Sequence, residues 1–334
     1  MLMAHETVHT PFLSILCAAY RAEGTVGRAV HSVLAQTDGD FELLVCDDGS
    51  DDGTAEAAAR AAAGDGRVTV IRQENAGTGA ARNALAALAR GEFLCVLDAD
   101  DEMLPGYLAT MREVIGHAPA HDIYACNAWC VDPNGERSLW HVDRDPDLTL
   151  QLRLIDMLRS NGIFVMASVR ASTFHRAGGF DPAAGAEDYD LWLRILAAGG
   201  THLYTPAVLG VYHRSPGSLS AGASSQWEAT AEILREYATD IRLGAGEREV
   251  AAASARRYAA MATLARIQET GEDRMTRAQA FASLAAFEAP VKRITGAMLA
   301  AVSPRLYARV VAGRRRAELS RRYAETTSVS SDAE

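Results

Sequence analysis

Within the first hundred residues, short apolar runs alternate four times with segments of helical spacing, and this rhythm constrains the fold more than any other feature. The predicted strands are Phe12–Ala18, Phe41–Cys46, Val68–Arg72 and Glu92–Leu97. The predicted helices between them are Gly24–Gln36, with Val26, Val30, Val33 and Leu34 on one face, then Ala-rich Thr54–Ala63 and Ala/Leu-rich Thr78–Arg90. Strand–helix alternation at this spacing calls for a parallel sheet with right-handed crossovers, whose ligands bind at the carboxyl ends of the strands. After Pro105 the pattern changes. Ile123–Val131 and Ser138–Val142 flank the turn sequence Asp132-Pro133-Asn134-Gly135 and read as a hairpin. Ile163–Val169 and His202–Tyr212 read as further strands and Asp188–Ala198 as a helix. From about Gln226 onward the chain looks helical.

Composition narrows the class. The 334 residues are 49% hydrophobic and 23% charged, which is globular, and the net charge of −10 argues against general nucleic-acid binding. No apolar run reaches the roughly 18–20 residues of a membrane span. Residues 1–10 lack the basic-then-apolar layout of a signal peptide, so a cytoplasmic protein is expected. Five cysteines fit reduced thiols better than a disulfide framework. Cys17, Cys46 and Cys95 sit in apolar strand-like runs, where buried thiols are inert. Cys126 and Cys130 have no second Cys/His pair to complete a zinc site.

Two acidic clusters fall at predicted strand ends and face the same sheet edge. The first, Asp47-Asp48-Gly49-Ser50-Asp51-Asp52-Gly53-Thr54, also fits a turn or a cap for the helix beginning near Thr54. The second, Asp98-Ala99-Asp100-Asp101, is harder to read as a turn. Its three carboxylates would repel one another unless a hard cation such as Mg²⁺ or Mn²⁺ sat among them. Glu187 and Asp188 open a predicted helix, where they fit either an N-cap or a general base whose surroundings Glu187 or Asp190 helps to set. His213 and Arg214 end a strand; both are suited to pyrophosphate, and His213 is also a candidate metal ligand.

Taken in order, these pieces resemble the family-2 glycosyltransferases of GT-A fold. The series runs Ser14-Ile15 with Tyr20, the Ser32–Thr37 stretch Ser-Val-Leu-Ala-Gln-Thr, Phe41 to Ser50, Asn75-Ala76-Gly77 with Ala81-Arg82-Asn83, Gly91-Glu92 and Leu97 to Asp101. It ends with Gly178-Gly179-Phe180-Asp181, Glu187 to Arg194 and Tyr212 to Ser220. The match covers about residues 11–220. It implies a Rossmann-like, mostly parallel central sheet flanked by helices, and inverting, non-processive transfer of a sugar from a nucleotide-diphosphate donor. The acceptor would be a hydroxyl of a glycan, a lipid-linked molecule or a small molecule. By motif match Asp48 would bond the nucleobase edge, Tyr20 flank the base and Arg82 contact the nucleotide. Asp98-Ala99-Asp100 matches the family's DXD element. Asp100 or Asp101 would hold Mn²⁺ or Mg²⁺ and the other aspartates the ribose, while Asp188 would be the catalytic base. The chain departs from the family at Arg21, where Asn is frequent, and it lacks the Gln-x-x-Arg-Trp signature of processive synthases.

The expected organisation is a catalytic domain over residues 1–225, a helical extension over 226–325 and a disordered tail over 326–334. Between Pro290 and Tyr323 nine Lys/Arg face one acid, Glu318. Leu299, Val302, Leu306 and Val310 could form an apolar stripe beside them. Such a segment suits a helix packed on its own domain, peripheral contact with the inner face of an anionic membrane, or a homodimer contact. Two rivals use related chemistry: a nucleotidyltransferase, which would want a phosphate loop after the first strand where Ala18 to Glu23 has none, and a non-catalytic nucleotide-sugar binding protein. A nicotinamide-binding enzyme fits less well, because Gly77-Thr78-Gly79-Ala80-Ala81-Arg82 ends in Arg where a small residue is needed.

Overall fold

A computed structural model describes residues 9–140, 151–214 and 223–270. The basic run from Lys292 to Arg322, the Ser218–Ser220 end of the last motif and the terminal Thr326–Glu334 stretch lie outside them.

The first hundred residues fold as the alternation requires. Strand β1 (Leu13–Ala19), helix α1 (Val26–Leu34), β2 (Phe41–Asp47), α2 (Thr54–Ala62), β3 (Val68–Arg72), α3 (Thr78–Leu88) and β4 (Phe93–Val96) follow one another. β1 and β2 are almost wholly buried, which explains why they read as continuous apolar runs without alternation. α1 turns Val26, Ala29, Val30 and Val33 into the core, spaced as one helical stripe.

The rest of the sheet comes from β5 (Glu102–Met103), α4 (Tyr107–His117), β6 (Ile123–Val131), β7 (Arg137–Leu139), α5 (Leu154–Arg159), β8 (Ser168–Arg170), α6 (Ala171–Arg176), α7 (Glu187–Ala197) and β9 (His202–His213). Among the described residues the strand order is β3-β2-β1-β4-β8-β6-β9-β5, with β7 on β6. The β1–β2, β1–β4, β2–β3 and β6–β9 pairs are parallel; β4–β8, β6–β8, β5–β9 and β6–β7 are antiparallel. The chain leaves β1 for β2 on one side and returns to β4 on the other. The carboxyl end of β1 is therefore the topological switch point of an open α/β sheet, where a crevice forms.

The expected strand Ile163–Val169 is a correction. Only Ser168–Arg170 joins the sheet. The residues before it turn on themselves, with the Ala167 N–H donating to Val165 O, and insert Ile163, Phe164 and Met166 into the core. That apolar run records burial, not pairing, and periodicity does not separate the two.

At the edge away from the crevice, Ser14 Oγ donates to Glu42 Oε1 at 2.6 Å and accepts the Gly91 N–H at 2.8 Å, while the Arg90 N–H also bonds Glu42 Oε1. A Cβ on Gly91 would stand 2.5 Å from Ser14 N. Gly91→Ala is thus expected to destabilise the protein by about 1–3 kcal/mol, read as a lower urea midpoint.

All five cysteines are buried and unbridged, and burial pushes the Cys17 and Cys95 thiols up to about 12. The chain divides into two compact units, Met1–Ala221 with Glu236–Ala251 and Gly222–Arg235 with Ala252–Glu334. Helices α8 (Ala223–Thr239) and α9 (Ala245–Thr270) run through both. Within the second unit, Trp227 stacks on Tyr258 with centroids 5.5 Å apart, and Arg266 pairs with Glu228 at 2.7 Å. No described helix is long and apolar enough to cross a membrane.

Candidate active site

Four segments meet at the switch point. The loop after β1 carries Tyr20, 46% exposed, with the Arg21 guanidinium 5.3 Å from its ring centroid. Arg21 has φ +50°, a left-handed conformation in which Asn is enriched, which gives a backbone reason for the family's usual Asn at this point. Here a fork of two 2.8 Å bonds to Asp51 holds the Arg.

Asp48, at the end of β2, is buried. Its Oδ1 accepts from Gln73 Nε2 at 2.7 Å and from the Ala76 N–H at 3.0 Å, and its Oδ2 accepts the Gly77 N–H at 2.9 Å. In this structure Asp48 fastens the loop that leads into α3. Gly49 (φ +74°) follows it, and a Cβ there would lie 2.7 Å from Asn75 N, so only glycine fits.

After β4 comes the acidic loop. One carboxylate oxygen each from Asp98, Asp100 and Asp101 lies within 4.8 Å of the others. Asp101 is fully buried; its Oδ1 accepts the His213 N–H at 2.9 Å, and its Oδ2 has no hydrogen-bond partner among the described residues. Burial, then the charge of Asp98, pushes the Asp101 carboxyl well above the usual carboxylate range, and the same two causes raise Asp100. An orphaned buried oxygen in a cluster of three carboxylates, of which Asp98 is paired with Arg82, fits a hard divalent cation. His213, also expected as a ligand, stands outside this group. Its ring Nε2 bonds Glu102 Oε1 at 2.7 Å, and only its backbone reaches Asp101. Arg214 is exposed at the end of β9, its N–H on Val131 O at 2.8 Å.

Helix α1 holds this loop along its length. Arg28 donates to Asp100 O at 2.5 Å and lies 3.4 Å from Glu102. Gln36 Nε2 donates to Leu104 O at 2.8 Å while its Oε1 accepts the Leu108 N–H at 3.1 Å, and the Met103 N–H bonds Ser32 Oγ at 3.0 Å. The Ser32–Thr37 motif thereby acquires a structural reason. Sequence reasoning did not single out Arg28 or Glu102; an isolated Arg on a helix carries no local signal of a partner 72 residues away.

The fourth segment leads into α7. Glu187, Asp188 and Asp190 occupy its first turn. Asp188 is half-buried and pushed up to about 6, first by burial, then by Glu187 and Asp98, with Arg82 opposing. Arg82, on α3, donates to Asp98 Oδ1 at 2.5 Å and to Glu187 Oε1 at 2.7 Å. Burial works to lower its pKa, and Asp98, Glu187 and Asp188 outweigh that and raise it. The aspartate loop and the start of α7 therefore share one cleft with Arg82 between them. Tyr20 and Asp48 lie at neighbouring strand ends.

This arrangement can bind an anionic leaving group beside a cation and accept a proton nearby. The sequence profile of "Glycosyl transferase family 2" matches residues 14–176. The succinoglycan biosynthesis protein ExoO of Rhizobium meliloti (strain 1021) is 33% identical over 246 residues, covering 69% of this chain and 70% of ExoO. With other curated relatives the shared stretch is shorter, 34% of one and 19% of another. Among solved structures, S. aureus TarS 1–349 in complex with UDP-GlcNAc superposes with a TM-score of 0.63 at 16% identity over 86% of each chain. The mannosyltransferase PcManGT from Pyrobaculum calidifontis, in complex with GDP-Man and Mn²⁺, gives 0.57 at 18% identity over 88% of this chain and 87% of that one. These likenesses identify the fold as GT-A. With ExoO matched over most of its length, the chain belongs to glycosyl transferase family 2.

Proposed function

We propose that this glycosyltransferase moves one sugar per encounter from a nucleoside-diphosphate sugar to an acceptor hydroxyl, by single displacement with inversion. The observation that carries the reading is the Arg82 bridge, which brings the acidic loop and the α7 carboxylates into one cleft. Tyr20 and Asp48 border the nucleobase, and Asp98 and Arg214 line the rest of the donor site. TarS with UDP-GlcNAc and PcManGT with GDP-Man support a donor of this class, and ExoO's name supports a glycan acceptor. The catalytic domain is proposed to span residues 1–225.

Asp98, Asp100 and Asp101 are the residues suited to hold Mn²⁺ or Mg²⁺, with His213 steadying Asp101 through its backbone. A cation bound there supplies charge stabilisation to a departing diphosphate. Asp188 takes the proton of the acceptor hydroxyl. That oxygen bonds the anomeric carbon from the face opposite the leaving group, and the bond from carbon to the diphosphate oxygen breaks. No enzymic nucleophile is needed, in keeping with cysteines that are buried.

The test offers UDP- and GDP-sugars with Mn²⁺ and reads the products by NMR. The expected outcome is release of a nucleoside diphosphate and a product of inverted anomeric configuration. A retained configuration would overturn the single displacement. Release of a sugar 1-phosphate, with the nucleoside monophosphate carried onto the acceptor, would indicate nucleotidyl transfer, and binding without release a non-catalytic binder.

A further inference from the structure

We infer that Arg82 is a positioning residue that locks the start of α7, and with it Asp188, against the loop after β4. The inference rests on the proposed roles of Asp188 and the acidic loop, and it departs from the expectation that Arg82 contacts the nucleotide. The Arg82 side chain is 5% exposed, and its two terminal nitrogens are committed to Asp98 on one side and Glu187 on the other. Its partners lie 16 and 105 residues away, so the guanidinium ties two segments that no backbone pairing joins.

The same face of α3 makes three further contacts with the segment leading into α7. Asn83 donates through Nδ2 to Phe180 O at 2.8 Å and accepts the Phe180 N–H through Oδ1 at 2.9 Å. The Phe180 ring packs 5.6 Å from the Arg82 guanidinium carbon. Gly79, three and four residues earlier, runs so close to Pro182 that a Cβ there would stand 3.2 Å from its Cα. Gly79, Arg82 and Asn83 share one helical face, so a single surface of α3 seats residues 180–187.

A guanidinium suits this task because its planar fork reaches two carboxylates at once. A lysine ammonium is a compact point charge without that planar fork. Without Arg82, Asp98, Glu187 and Asp188 would face one another uncompensated, and the first turn of α7 would be pushed from the cleft.

The experiment compares the full-length wild type with Arg82→Lys, Glu187→Gln and the double variant. Urea unfolding without ligand reads the bridge itself. The double variant's midpoint is expected to fall no further than that of the worse single variant, whereas a drop equal to the sum of the two would overturn the bridge. Kinetics with a UDP- or GDP-sugar and calorimetry with UDP or GDP in Mn²⁺ read the positioning. Both single variants are expected to lose at least tenfold in kcat with the nucleotide Kd changed less than about twofold. An Arg82→Lys variant with a tenfold weaker Kd and unchanged kcat would make Arg82 a nucleotide contact. Wild-type kcat in Glu187→Gln would also overturn the inference. If the wild type releases no nucleoside diphosphate from any donor, the functional reading fails, while the unfolding data still decide the bridge.

Discussion

Asp188→Asn is expected to lower turnover by about 10²–10⁴-fold while leaving donor binding intact and making the protein more stable at neutral pH. The two effects share one cause. Burial and the neighbouring carboxylates push the Asp188 carboxyl up to about 6, against an ordinary value of 3.8. A raised carboxyl binds its proton more tightly in the folded chain than in the unfolded one. Its favourable contribution is complete below about pH 4 and is lost as the pH climbs through 6. Above that, the ionised group costs the fold roughly 1–3 kcal/mol. Asn keeps the shape without the charge, so its gain should be present in urea unfolding at pH 7.5 and shrink towards pH 4. Activity runs the other way, since only the ionised form accepts a proton. The wild-type kcat/KM should fall on the acid side with a midpoint near 6. Near-normal turnover in Asp188→Asn, or an acid limb near 4, would remove Asp188 from the role of base.

The second large effect concerns the acidic loop. Asp101→Asn retains an oxygen for the His213 N–H and removes the one buried carboxyl of the cluster. Mn²⁺ affinity is expected to fall by at least the 10–100-fold that loss of an outer-shell partner costs, and Mn²⁺-dependent binding of UDP or GDP should fall with it. The ion-free variant should be at least as stable as the wild type, because the repulsion that raises Asp100 and Asp101 is partly relieved. Mn²⁺ binding to the wild type should release protons from those carboxyls, seen as a binding heat that varies with buffer. Unchanged Mn²⁺ affinity in Asp101→Asn would place the ion elsewhere.

How far the sequence could be read depended on the distance over which each signal acts. The first four strands and three helices were legible because burial on both faces and helical spacing leave local patterns, and the Asp98–Asp101 cluster was legible because like charges side by side need a reason. Strand β5 was not: two residues, Glu102 and Met103, join the sheet only because β9 passes beside them. Ile163 to Met166 looked like a strand because core packing and strand pairing ask for the same residue types. Asp48 was legible as a residue that matters, but its bonds to Gln73, Ala76 and Gly77 depend on a loop that folds back from β3. The Arg82 bridge and the hold of Arg28 and Gln36 on the acidic loop join residues 16 to 105 positions apart, and no local pattern encodes such pairs.

The arrangement of the cleft can be checked in one measurement: a crystal of the chain grown with UDP or GDP and Mn²⁺, with data collected at the manganese edge. One anomalous peak is expected, coordinated by the Asp98–Asp101 carboxylates and by diphosphate oxygens, with Asp188 across the cleft from it. A nucleotide bound away from those carboxylates, or a manganese peak elsewhere on the chain, would contradict the account.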